Sequence, residues 1–251
     1  MKINRTFIPF EVKLLNIIWC FDRTTNQVKV VLKDEGDWTL PETCLIQDED
    51  ALDATIRLTR ELTGQTVSPK NIEQLETLTN PKRAVDGKRL VTMAYMTYLP
   101  EFPDMMNSTL ELFTLENLNN HYYFTKGEKQ LAVATVDTET EYYQKRLRKN
   151  KFYQVNDYVL KKACLRIRRS LDTQPDVLRI LGEVFTLREA RSLYAPFLGV
   201  SFHEIDNSNF KKTHQRLFRE IGKTNKRGPG RPASLYPVSY THLTLPTNSR
   251  V

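Results

Sequence analysis

No run in the 251 residues approaches the roughly 20 apolar residues that a membrane-spanning helix needs. Met1–Glu11 also lacks a signal-peptide pattern. Both absences point to a cytoplasmic protein without a membrane partner. A composition of 40% apolar and 27% charged residues is that of a soluble globular chain. Cysteine is scarce: Cys20, Cys44 and Cys164 are odd in number, scattered and without a CxxC pair, so reduced thiols are expected rather than disulfides.

The first half has no excess of positive charge. Met1–Tyr143 carries 15 Lys/Arg against 22 Asp/Glu, whereas Gln144–Pro237 carries 21 against 8, within a net charge of +7. An acidic first part joined to a basic second part assigns contact with a polyanion to the second. The length suits two domains, and the reading divides the chain into residues 1–150 and 151–237.

Glu11–Phe21 and Gln27–Lys33 are rich in Val, Ile and Leu around the polar turn Asp22–Asn26, which predicts a hairpin. Leu40–Gly64 then leads through acidic residues into an amphipathic helix, with Asp50 as N-cap, Leu52, Ile56, Thr59 and Leu62 facing inward, and Gly64 as C-terminal cap. Asn71–Thr79 and Arg89–Leu99 read as strands separated by the turn-forming Asn80–Lys88. Leu110–Leu118 reads as a strand with a short helical turn, and QLAVATV as an isolated strand. Glu141–Gln154, alternating basic and aromatic, reads as an edge hairpin.

The loop and helix at Leu40–Gly64 resemble a Nudix box, the signature of enzymes that hydrolyse nucleoside diphosphates linked to another group. Anchored on Gly64, the chain supplies Glu49, Arg57 and Glu61 at the box spacing. It departs at Thr43 for the first Gly, at Leu58 and Leu62 for two of three helix carboxylates, and at Thr59 and Gln65 for two aliphatics. Carboxylates three or four residues apart share a helix face and can hold hard cations that polarise a diphosphate and activate water. One carboxylate between leucines cannot build that cluster. The expectation is therefore a kept shape without catalytic or metal-binding residues, and no cofactor.

Past the box, Asn80-Pro81-Lys82-Arg83 and Arg89 ahead of Ala94-Tyr95 are similar to Nudix-related transcriptional regulators of the NrtR type. From Val155 the pattern is helical: Tyr158, Leu160, Cys164, Ile167 and Leu171 form one stripe, Asp176–Leu181 a short helix, and Leu187–Leu198 a helix. Thr186 and Glu189 give that last helix a capping box, Pro196 should kink or shorten it, and Gly199 ends it. A further helix over Asn207–Phe218, with Phe210, Thr213 and Leu217 inward, precedes a ribbon of Arg219–Lys223 and Ala233–Tyr236 around the basic tip Asn225–Pro232. Helices followed by such a ribbon make a winged helix-turn-helix. FTLREARSLYAPFLG, FKKTHQRL and GRPASLY resemble the DNA-binding domain of the NrtR type.

The resemblance implies an α/β Nudix-like sandwich, a mixed sheet with helices, followed by an α+β winged helix-turn-helix domain. It implies a repressor that binds double-stranded operator DNA as a homodimer and answers to a small-molecule effector, an NAD-related nucleotide such as ADP-ribose. An active Nudix hydrolase, or a sugar-responsive regulator of the same architecture, are the alternatives. Expected effector-binding residues are Arg57, Glu61, Arg83 and Arg89. Expected DNA-binding residues are Asn209, Lys211, Lys212 and Arg216 on the recognition helix, with Lys226, Arg227 and Arg231 on the wing. Val238–Val251 resembles a translated sequencing adapter and is left outside both domains.

Overall fold

β1 (Phe10–Asp22) is the spine of the first half, because from Leu14 to Phe21 both of its faces are covered and every residue but Asn16 is apolar. The structure is a computed structural model that describes residues 9–85, 87–103, 109–145, 155–224 and 232–238. β1 forms the expected hairpin with β2 (Gln27–Asp34), in register from Trp19↔Val30 to Asp22↔Gln27. β3 (Trp38–Thr39) pairs with β2, and β4 (Glu42–Cys44) pairs with β1. α1 (Ala51–Thr63) follows, then β5 (Ile72–Leu78), β6 (Ala84–Val85) and β7 (Lys88–Tyr98). β7 runs parallel to β1, from Phe10↔Arg89 to Trp19↔Tyr98, which makes the sheet mixed. With β8 (Leu110–Leu118), β9 (His121–Lys126) and β10 (Lys129–Ala132), the ten strands run β10-β9-β8-β2-β1-β7-β5, with β3, β4 and β6 added at the side.

Three expectations for the middle of the chain are corrected. Leu110–Leu118 is strand throughout, and the unforeseen β9 returns antiparallel from it. The turn between them is Asn119-Asn120, with φ of 54° and 62°. Asparagine tolerates this left-handed pair, and it matches the twist of the flanking strands. QLAVATV is no isolated strand, since Leu131 and Ala132 belong to β10, paired with β9. Glu139–Lys145 forms a helix, α2, in place of the expected hairpin, and residues 146–154 lie outside the described residues. The Thr138 hydroxyl accepts from the Glu141 amide at 3.2 Å and Glu141 pairs with Lys145 one turn on, local terms that favour a helix over an alternating strand.

The second half opens with α3 (Asn156–Ser170), whose Tyr158, Leu160, Cys164 and Ile167 are buried as expected. Asp176–Leu181 is the short helix expected, of the 3-10 kind. β11 (Val184–Thr186), β12 (Gly222–Lys223) and β13 (Ser234–Pro237) make a three-stranded sheet in the order β11-β13-β12. Between them lie α4 (Leu187–Leu198), a 3-10 turn at Phe202–Glu204, and α5 (Asn207–Thr213). The Thr186–Glu189 capping box is formed, and α4 runs through Pro196 to a left-handed Gly199 at φ 73°.

α5 stops five residues before the expected end, and its inner stripe is Phe210, His214 and Phe218, not Phe210, Thr213 and Leu217. The His214 ring lies against Tyr194, Phe210 and Phe218, and the turn over residues 214–217 carries it there.

One apolar cluster spans both halves. Trp19 of β1 meets Phe197 of α4 at 5.8 Å between ring centroids, and the Tyr122 hydroxyl of β9 donates to the Phe197 carbonyl at 3.0 Å. Among the described residues, no helix is long and apolar enough to cross a membrane.

Candidate functional site

Asp50 caps α1 as expected, accepting from the Leu52 and Asp53 amides at 2.8 and 2.9 Å, and Gly64 closes it in the left-handed region. Arg57 ties this helix to the loop before it. Its Nε and Nη2 donate to the two Glu49 carboxylate oxygens at 2.9 and 2.7 Å, a two-pronged contact. Nη2 also reaches the Thr43 hydroxyl and the Cys44 carbonyl, and Nη1 lies 3.4 Å from Glu61. Glu49 in turn accepts from the Ile46 amide at 2.8 Å. The Arg57 hydrogen bond holds the Glu49 carboxyl below its ordinary pKa, and the same bond holds the guanidinium proton more tightly.

Leu58 takes a box carboxylate position and points into an apolar cluster with Leu14, Ala54 and Tyr95, against which Leu62 is partly buried. The burial lifts the Tyr95 hydroxyl above its ordinary pKa. A cation held at these positions would meet leucine side chains, so they do not fit the metal that a Nudix box implies. Among the described residues there is no group of three or more His, Cys, Asp or Glu that could hold a metal ion.

The inner face of α1 differs in part from expectation. Thr59 is buried as expected, but Thr55 and Thr63 are buried beside it, while Leu52, Ile56 and Leu62 are only partly so. Each threonine hydroxyl donates to the carbonyl four residues back, at 2.7 to 2.8 Å. Thr59 additionally accepts from Asn16 Nδ2 at 3.0 Å, and the Asn16 carbonyl oxygen accepts from the Thr97 hydroxyl at 2.8 Å. This polar node joins α1, β1 and β7, and it explains a threonine where the box has an aliphatic residue.

The remaining expected effector residues are held elsewhere. Arg83 is 5% exposed and donates to the Thr92 hydroxyl at 2.5 Å and the Tyr143 hydroxyl at 3.2 Å; its Nε has no partner. It makes no ion pair among the described residues. Arg89 donates to the Thr79 carbonyl at 2.7 Å and lies over the Phe10 ring. Thr92, which Arg83 contacts, and Arg89 itself are three residues apart on β7 and so point to opposite faces of it. No contact among the described residues joins Arg83 or Arg89 to the Arg57–Glu61 pair.

A cleft of about 850 Å³ opens in the second half between the start of α4, the Phe202–Glu204 turn, α5 and the β12–β13 ribbon. Of the expected DNA-binding residues, Lys211 lines it, with its amine 3.8 Å from Glu220 and 5.9 Å from the Tyr236 ring. Asn209, Lys212 and Arg216 are exposed on another side of α5 and of the turn that continues it. Lys226, Arg227 and Arg231 lie outside the described residues. The cleft also contains Arg188, Arg191, His203 and Lys223, which the sequence reading missed. They are dispersed over three elements, so no basic run announces them; only the capping box, which fixes where α4 begins, was a signal.

Residues 177–238 match the family model of the NrtR DNA-binding winged helix domain. Over its length the chain is similar to a MutT/nudix family protein from Enterococcus faecalis, at 27% identity, 94% of this chain, 90% of that one and a TM-score of 0.79. It shares the fold of Shewanella oneidensis NrtR, at 19% identity, 91% of this chain, 96% of that one and a TM-score of 0.62. The same NrtR complexed with a 27mer DNA gives a TM-score of 0.60 at 19% identity, over 91% of this chain and 93% of that one. No curated protein matches the sequence. The chain therefore has a Nudix-like fold followed by a winged helix domain that matches the NrtR DNA-binding model, an architecture it shares in fold with Shewanella oneidensis NrtR.

Proposed function

We propose that the chain is an effector-responsive transcriptional repressor. In this reading residues 151–237 bind operator DNA as a homodimer, and residues 1–150 sense a small molecule without hydrolysing it. The observation that carries the reading is the basic cleft of the winged helix, within the segment that matches the NrtR DNA-binding domain. Shewanella oneidensis NrtR, which has the same fold, was solved with a 27mer DNA. Asn209, Lys212 and Arg216 are assigned to the groove, and Lys211 with Lys226, Arg227 and Arg231 of the wing to the duplex backbone.

The sensor role rests on the Arg57 clamp. Glu49 and Glu61 are turned onto one guanidinium, and Leu58 and Leu62 are packed against apolar neighbours, so the box supports loop geometry rather than cation binding. The effector assigned is an NAD-related nucleotide such as ADP-ribose; Arg57 and Glu61 are the expected contacts that lie together, while Arg83 and Arg89 would have to meet it from separate faces of β7. The buried Arg83 guanidinium without a carboxylate partner favours an anionic effector over a neutral sugar. Only a differential affinity for two arrangements of the dimer lets such an effector change DNA binding.

Calorimetric titration with ADP-ribose, NAD and arabinose, with and without operator DNA, tests the reading. Binding of ADP-ribose that is altered by DNA supports it; arabinose binding alone replaces the effector. The similarity to the Enterococcus faecalis MutT/nudix family protein favours a hydrolase as the second reading. Magnesium-dependent release of AMP from ADP-ribose by the purified chain would establish that reading instead.

A further inference from the structure

We propose that the α4 side of the cleft is a phosphate-binding wall, so that one DNA backbone is gripped between α4 and the base of the wing. The inference rests on the DNA-binding reading and adds Arg188 and Arg191 to it. The two arginines are three residues apart on α4 and share a helix face that lines the cleft. Neither makes an ion pair among the described residues.

The Arg191 guanidinium is already held in place. It lies 4.4 Å from the centre of the Phe202 ring, and Nη2 donates to the Phe202 carbonyl at 3.3 Å. Its Nε is buried without a partner. A planar guanidinium fixed on an aromatic face loses little freedom when its remaining donors meet phosphate oxygens.

The charges across the cleft agree. Lys211 of α5, Lys223 of β12 and His203 line the same cleft, and Glu220, 3.8 Å from the Lys211 amine, is the carboxylate among the lining residues. Glu189, on the first turn of α4, does not neutralise the wall, because its two oxygens are taken by Thr186 and Arg23. A concave surface with four permanent cations and one carboxylate selects a run of phosphates. Base reading is left to Asn209, Lys212 and Arg216, which lie outside the cleft.

Phosphate contacts do not depend on sequence, so the operator is not needed for the test. The full chain is titrated by fluorescence anisotropy onto a mixed-sequence duplex of roughly three helical turns, over a range of salt concentrations. Each phosphate contact contributes about 0.9 to the slope of log affinity against log salt. Arg188→Ala with Arg191→Ala is therefore expected to flatten that slope by about 1.8. Arg188→Ala alone, at an exposed site, should flatten it by about 0.9, and Arg191→Lys should keep it. If the parent binds duplex DNA and both alanine variants keep its slope, the wall is wrong and the DNA-binding reading stands. If the parent binds no duplex at any salt, the DNA-binding reading falls and takes the wall with it.

Discussion

Arg23, in the turn between β1 and β2, reaches Glu189 at the start of α4 with an ion pair of 3.2 Å. The same guanidinium donates to the carbonyl oxygens of Leu181 and Val184. Glu189 meanwhile accepts from the Thr186 amide at 2.7 Å, completing the capping box of α4. A hairpin of the first sheet therefore holds the first turn of the helix that lines the basic cleft. With the Trp19–Phe197 contact behind it, this is a direct mechanical link between the two halves.

Arg23→Ala should loosen that link locally. The Arg23 side chain is 53% exposed, so the ion pair contributes at most about 1 kcal/mol to global stability. Amide hydrogen exchange should nevertheless accelerate over residues 181–189, where the guanidinium holds two carbonyls and the capping acid. Unchanged exchange there would mean that the hairpin does not brace α4.

Leu58→Ala should cost roughly 2–5 kcal/mol, since Leu58 is 6% exposed and fills the space between Leu14, Ala54 and Tyr95. Leu58→Glu, which restores the box carboxylate, should destabilise at least as much and should not yield magnesium-dependent AMP release. Urea unfolding and an AMP assay on the same samples check both statements. A stable Leu58→Glu chain that hydrolyses ADP-ribose would overturn the assignment of α1 as a packing element.

Glu49 gives the loop a defined pH response. Its pKa is lowered in the folded chain by the Arg57 hydrogen bond, so the unfolded chain binds its proton more readily. The stabilisation is then complete above the ordinary glutamate value and is lost as the pH falls through the lower folded value. Protection of the Ile46 amide, which donates to Glu49, should drop in that acid range. Glu49→Gln should remove this dependence while leaving the rest of the acid transition in place.

Thr59→Val tests the polar node under α1. The change keeps shape but leaves Nδ2 of the fully buried Asn16 without its 3.0 Å acceptor. A cost of about 1–3 kcal/mol is expected, read as a lower urea midpoint with an unchanged slope. Thr59→Ser, which keeps the hydroxyl, should recover most of it.

Alternation and capping made most elements legible before any coordinates. The β1–β2 hairpin followed from two aliphatic runs around a polar turn, and α4 from Thr186, Glu189 and Gly199. The box helix was placed correctly, and Thr59 on its inward face, yet Thr55 and Thr63 were missed, because threonines that bond the preceding turn look like surface residues in sequence. Where aromatic and charged residues mix, as in Glu139–Lys145, periodicity of two misled and one i,i+4 pair decided. The inner stripe of α5 was misassigned because His214 reads as polar, although aromatic contacts bury it. Arg188, Arg191 and Lys223 could not be recognised as one surface until three separate elements were folded around the same cleft.

The central claim is sequence-specific binding of duplex DNA by the winged helix. Selection from a randomised duplex library by the purified full chain measures it most directly. The expected result is enrichment of a two-fold symmetric site whose half-sites are centred about 34–36 Å apart or a multiple of that. Joint replacement of Lys211, Lys212 and Arg231 by Ala should abolish the enrichment. A library that stays random with the parent chain, or a triple variant that enriches the same site as strongly, would contradict it.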